Sequence, residues 1–184
     1  MEKRRQTLIV KKNNYWLSEI ADLYFNHQLN YTSYSYMDSN GKIVKQGVDL
    51  VVMNKQFIPY YILCYGSTDF KFVPIPIMEN NHESRLVNTK SDYVFWWHIG
   101  TNKISIISTP SLLNNFVDTE NYEDVGNTLV QWVSAEDENW NGAFSQFTLS
   151  PHIADKAKHI YDFRVSRLPL SQREAVAPLE LARV

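Results

Sequence analysis

Residues 47–67 read Gly47-Val-Asp-Leu-Val-Val-Met53, then Asn54-Lys-Gln-Phe57, then Ile58-Pro-Tyr-Tyr-Ile-Leu-Cys-Tyr65 and Gly66-Ser67. Two apolar runs of strand length flank a short polar turn at Asn54 to Gln56, which predicts two buried strands joined as a hairpin. Asp49 is the exception in the first run. A carboxylate inside an apolar strand is costly to bury unless it is paired or holds a cation. The structural alternative is a turn cap or an ion pair with Lys45.

Working outward, Tyr15 to Leu29 places Trp16, Ile20, Leu23 and His27 on one stripe, with Leu17, Ala21 and Tyr24 beside it, as an amphipathic helix does. Tyr31 to Met37 is aromatic and reads as a strand, Asp38-Ser-Asn-Gly41 supplies turn chemistry, and Lys42 to Gln46 resumes an extended stretch. On the other side, residues 73–91 contain Pro74 and Pro76 and the polar run Glu79 to Arg85. They predict a loop with one short helix. Tyr93 to Ile99 and Ile104 to Ser108, joined by Gly100-Thr-Asn-Lys103, form a second hairpin. Ser111 to Phe116 starts a helix after Pro110, Val125 to Val133 has helical amphipathicity, and Ile153 to Phe163 is a last helix. One helix, then hairpins, then further helices is α+β order rather than doubly wound.

The chain has 184 residues, 18 Lys plus Arg against 20 Asp plus Glu, and a net charge of −2, which suits one domain of ordinary size. Residues 1–165 are expected to form that domain, opened by a basic arm (1–12) and followed by an aromatic-free tail, residues 166–184. The lone Cys64 and an amino terminus without an apolar stretch point to the cytoplasm, and no window is apolar enough to span a membrane. Charge is unevenly placed. Lys3, Arg4, Arg5, Lys11 and Lys12 face Glu2 alone, whereas Asp118, Glu120, Glu123, Asp124, Glu136, Asp137 and Glu138 meet no cation between residues 118 and 138. The basic arm is a solvated end or a phosphate contact; the acidic run would lie away from any nucleic-acid groove.

Several chemistries lose their evidence. The six glycines fall into no phosphate-cradling spacing, the five histidines include no H-x-x-x-H pair, and no nucleophile elbow occurs. Cys64, inside an apolar strand, reads as a small hydrophobe rather than a nucleophile.

Glu19 in the opening helix, Gly47-Val-Asp49-Leu-Val-Val, Tyr60-Tyr-Ile-Leu-Cys-Tyr-Gly-Ser67, and Ser91-Asp-Tyr-Val-Phe-Trp-Trp97 followed by Ile104-Ser-Ile-Ile-Ser-Thr-Pro-Ser-Leu-Leu113 together resemble the PD-(D/E)XK nuclease superfamily. The resemblance spans roughly Tyr15 to Val117. It implies a restriction endonuclease-like core, a mixed sheet with two consecutive hairpins flanked by helices, acting on DNA as a homodimer or higher homo-oligomer. It also implies a Mg²⁺ ion held by the Asp and by an acid on the next strand, with a Lys two positions later to position or activate water. Carboxylate oxygens suit that hard cation, and alternate strand residues share one face.

The pattern is broken where the chemistry would sit, because Leu63 and Tyr65 occupy the places of the acid and the lysine. Asp69-Phe-Lys71 has the right residue types. With the turn at Asn54 to Gln56, however, Asp49 lies opposite about Tyr61 or Ile62, which leaves Asp69 over ~20 Å away unless the strand bends. Two expectations follow. Either Asp49 works with Glu19, Asp69 and Lys71 in a rearranged metal site, with Asp49 and Asp69 as ligands, or the fold has lost cleavage and binds DNA or serves as an assembly subunit. Tyr31, Tyr34, Tyr36, Tyr60 and Tyr61 are candidate base stackers where exposed and core residues where not. Trp96, Trp97 and His98 read as core or edge residues, His98 alternatively as a polar group near the site.

Overall fold

The computed structural model describes residues 16–35, 47–67, 72–79, 82–115, 122–125, 128–134 and 144–166. Helix α1 (Trp16–Asp22) runs into one π-helical turn (Leu23–Gln28), followed by β1 (Thr32–Ser35), β2 (Leu50–Met53), β3 (Pro59–Ser67), β4 (Phe72–Glu79) and β5 (His82–Glu83). Then come β6 (Tyr93–His98), β7 (Lys103–Ser108), α2 (Thr109–Asn115), β8 (Tyr122–Val125), β9 (Thr128–Ser134), β10 (Phe144–Thr148) and α3 (Pro151–Ser166). The class is α+β.

The strands form two sheets. One is mixed, in the order β1-β2-β3-β6-β7-β10, and the other is antiparallel, β5-β4-β9-β8. Both expected hairpins are present: β2 pairs antiparallel with β3 and β6 with β7, while β3 and β6 run parallel, Ile62 beside Tyr93 through Ser67 beside His98. A parallel pair needs a crossover, and helices usually supply it. Here the chain crosses through β4 and β5 of the second sheet.

Strand alternation explains the layering. Leu50, Val52, Ile62, Cys64, Phe95, Trp97 and Ile104 face one way and pack with Leu17, Ile20, Tyr24 and Phe25 of the first helix and with Ile153, Ala157 and Tyr161 of α3. Leu63, Tyr65, Val94, Trp96 and Ile107 face the other way, against Val73 and Ile75 of β4, Val130 and Val133 of β9, and Leu112 of α2. The mixed sheet is therefore covered by helices on one face and largely by strands on the other.

Three sequence expectations change. The helical stripe shifts: Leu17, Ile20, Ala21 and Tyr24 are buried, whereas His27 is exposed. The turn widens after Asp22, with the Leu29 N–H donating to Tyr24 O at 3.0 Å, and consecutive Tyr24 and Phe25 both reach the sheet. Residues 73–91 are not a plain loop. They supply β4 and β5, and the prolines are tolerated because β5 covers only Met78 and Glu79, while the ladder to β9 is irregular between Pro76 and Met78. Val125 to Val133 is not a helix. Its described residues lie in a two-strand ladder in which Val125 pairs with Thr128, and the sequence between them is Gly126-Asn127. That dipeptide is a two-residue hairpin signal, which outweighs a short amphipathic run.

The last helix starts at Pro151, two residues before the expected Ile153. Ser150 caps it, its carbonyl accepting from Ala154 N at 2.8 Å, and Pro151 occupies the first turn, where a missing N–H costs nothing. Gln28 ties this corner to the π turn, donating to Thr148 O and accepting from Ser150 N. The basic arm, Asp69, Lys71, the segment Tyr36–Gln46 and the tail after Ser166 lie outside the described residues.

Candidate functional site

Asp49 immediately precedes β2 and is buried, 6% exposed. Lys45, the partner considered from the sequence, lies outside the described residues. Arg85, from the turn after β5, forms a two-pronged ion pair with Asp49, Nη2 on Oδ1 and Nη1 on Oδ2 at 3.3 Å. Oδ2 also accepts the Cys64 N–H at 2.9 Å, and the Asp49 N–H donates to Ile62 O at 2.8 Å. Leu50 pairs with Ile62, so the register lies within one residue of expectation. Both carboxylate oxygens are thus engaged, and the carboxylate extends the β2–β3 ladder beyond its last backbone pair.

The clamp around this pair is built by residues 84–91. Gly47 has a φ of +65°, a conformation that glycine adopts without penalty. A Cβ there would also come 2.5 Å from Thr89 Oγ1 and 2.8 Å from Arg85 O. Thr89 Oγ1 lies 2.6 Å from Gly47 O and 2.9 Å from Ser91 Oγ, which is 3.1 Å from Thr109 Oγ1. This buried hydroxyl chain fixes the approach of β2 to β6 and α2. On the far side of β3, Asp92 Oδ2 accepts the Tyr61 N–H at 2.8 Å, so carboxylates flank the central strand on both sides.

Electrostatics follow from this geometry. Burial pulls the Arg85 pKa down, but the Asp49 charge and its hydrogen bond outweigh burial and leave it above the ordinary arginine value. The guanidinium stays charged. Burial, reinforced by Asp49 and opposed by Arg85, pushes the Cys64 thiol well above its ordinary value, so it stays a protonated hydrophobe.

The remaining candidates are dispersed. Leu63 and Tyr65 are fully buried between the sheets, Tyr65 stacked on Trp96 at 5.4 Å, and Trp96 Nε1 donates to Ser67 Oγ at 2.9 Å. Glu19 projects from α1 on the opposite, helical face, exposed and paired with Arg164 of α3. It borders a cleft of about 410 Å³ with Ser18, Asp22 and Ser33. The structure does not bring Asp49 and Glu19 together. His98 is buried, its Nε2 2.8 Å from Ser105 Oγ. A second cleft, about 490 Å³, lies between the π turn and the β7–β10 edge, lined by Tyr24, Phe25, Tyr31, Ile106 and Phe147. Of the proposed stackers, Tyr31, Tyr60 and Tyr61 are half-buried, and Tyr34 and Tyr36 fall outside what the structure describes for side chains.

A magnesium ion at Asp49 would have to displace a guanidinium that already matches the carboxylate. Among the described residues no group of three His, Cys, Asp or Glu side chains is placed to hold a metal. Among them, no helix is long and apolar enough to cross a membrane. Arg85 is the participant that sequence reasoning missed. The available signal was its place as the only Lys or Arg between Asp69-Phe-Lys71 and Lys90, with no carboxylate of its own assigned.

No family model, no curated protein and no solved structure matches this chain.

Proposed function

We propose that this chain is a nuclease-fold protein that binds DNA without cleaving it. The observation that carries the reading is the state of Asp49: its two oxygens are taken by Arg85 and the Cys64 N–H, while the positions of the second acid and the lysine hold the buried Leu63 and Tyr65. Phosphodiester hydrolysis by this family's route requires clustered carboxylates around a cation. A fixed guanidinium repels that cation. The restriction endonuclease-like core rests on the two consecutive hairpins in one mixed sheet, with α1 and α3 flanking one face. DNA as partner rests on the resemblance and on Lys3, Arg4, Arg5, Lys11 and Lys12, a cluster suited to phosphate contacts whose affinity falls with salt.

Supercoiled plasmid incubated with the protein and Mg²⁺ or Mn²⁺ tests the reading, beside a gel-shift series at increasing salt. The expected outcome is no nicking, together with binding that weakens with salt and with Lys3, Arg4 and Arg5 changed to Ala. Metal-dependent nicking that is lost in Asp49→Asn or Lys71→Ala would overturn it in favour of an active enzyme using Asp69-Phe-Lys71.

A further inference from the structure

The β2–β3 hairpin ends in a three-residue loop, Lys55-Gln56-Phe57, closed by Asn54 and Ile58. Asn54 N donates to Ile58 O at 3.1 Å, Phe57 N donates to Asn54 O at 3.0 Å, and Asn54 Oδ1 accepts from Gln56 N and Ile58 N at 2.9 and 3.0 Å. Such loops place their third residue in the left-handed region, where glycine is the usual occupant. Here that residue is a phenylalanine, with φ +62° and 78% of its surface exposed. A bulky side chain with positive φ is a marked outlier, and an exposed aromatic ring recovers no burial. The fold carries both penalties at one position.

The neighbourhood extends the feature. Ile58 is 49% exposed, and Tyr93, 37% exposed, meets Tyr60 edge-on at 5.8 Å on the adjoining strand. Of five large apolar side chains exposed among the described residues, three stand at this end of the sheet. Lys55 in the loop is exposed, and the Asp92 N–H donates to Tyr61 O at the same end. Asp92 is the acidic group there, and one of its oxygens is committed to Tyr61 N.

We propose that this end of the sheet is a stacking platform for unpaired nucleobases, with Phe57 as the leading ring, Tyr60 and Tyr93 behind it, and Lys55 facing the phosphates. Exposed rings interleaved with cations are what a single strand requires, because every base has a π face and every linkage carries a negative charge. A purely apolar partner would leave Lys55 without a counterpart. The platform deepens the DNA-binding reading and rests on it.

Phe57→Gly separates function from folding, since glycine relieves the backbone strain. Fluorescence anisotropy with a labelled 20-nucleotide oligo(dT) and with a duplex of equal length, alongside thermal unfolding, gives the answer. The expected result is a melting temperature equal to or above that of the wild type, with oligo(dT) affinity reduced about tenfold or more. Tyr93→Ala should weaken it further, and Lys55→Ala should lower the salt slope. Equal oligo(dT) binding by wild type and Phe57→Gly, or wild-type binding to duplex alone, overturns the platform and leaves the DNA-binding reading standing. Binding to neither DNA overturns both.

Discussion

Asp49 and Arg85 hold each other in place, and the asymmetry of buried charge determines what each change does. Arg85→Met leaves a buried carboxylate with only the Cys64 N–H as partner, and is expected to cost about 3–5 kcal/mol in urea unfolding. Asp49→Asn combined with Arg85→Met removes both charges, so the double variant should be more stable than Arg85→Met alone. A double-mutant cycle showing additive losses would contradict the coupling. Cys64 gives a pH signature. Its folded pKa lies above the unfolded value near 9.0, because burial and Asp49 disfavour the thiolate. Above that pH the unfolded chain releases the proton and the folded one keeps it, so this contribution to stability is present below pH 9 and falls as pH rises. Melting temperature measured from pH 8 to 10 should drop less steeply in Cys64→Ala than in the wild type.

At the scale of elements, the junction between residue 47 and the 84–91 turn is tight enough to test with one methyl group. Gly47→Ala combines a left-handed backbone with a Cβ 2.8 Å from a backbone oxygen. The expected loss is about 2 kcal/mol or more by denaturant unfolding. Wild-type stability in this variant would mean the clamp is loose. The elements that the sequence made plain were those whose signal is local. The β2–β3 and β6–β7 hairpins announced themselves by apolar runs around turn residues, and α3 was expected over Ile153 to Phe163. The misread elements were those whose state depends on a neighbour. Pro74 and Pro76 disqualify a central strand, and only the partial cover of β5 makes β4 possible. Short apolar runs such as Leu129 to Val133 satisfy helix and strand patterns alike until a partner strand is present.

Across the whole molecule, both faces of the mixed sheet are covered, and this sets what a charge at residue 63 or 65 would do. Leu63→Glu combined with Tyr65→Lys would place two charges between the sheets, each costing several kcal/mol, rather than open a catalytic site. The expected result is loss of cooperative unfolding by circular dichroism, with no nicking gained. A folded double variant that cuts plasmid in Mg²⁺ would show that the region opens to solvent.

From the sequence alone came the α+β class, the two hairpins of the mixed sheet, the inert Cys64, the singular position of Asp49 and the absence of an acid and a lysine at residues 63 and 65. These depend on period, turn chemistry and residue type, which act over a few neighbours. Only the tertiary structure decided that Asp49 is neutralised by Arg85, 36 residues away, that Glu19 lies across the sheet from it, and that a second sheet seals Leu63 and Tyr65. Ion pairs and burial are set by what the folded chain brings together, and no local pattern around Asp49 names its partner.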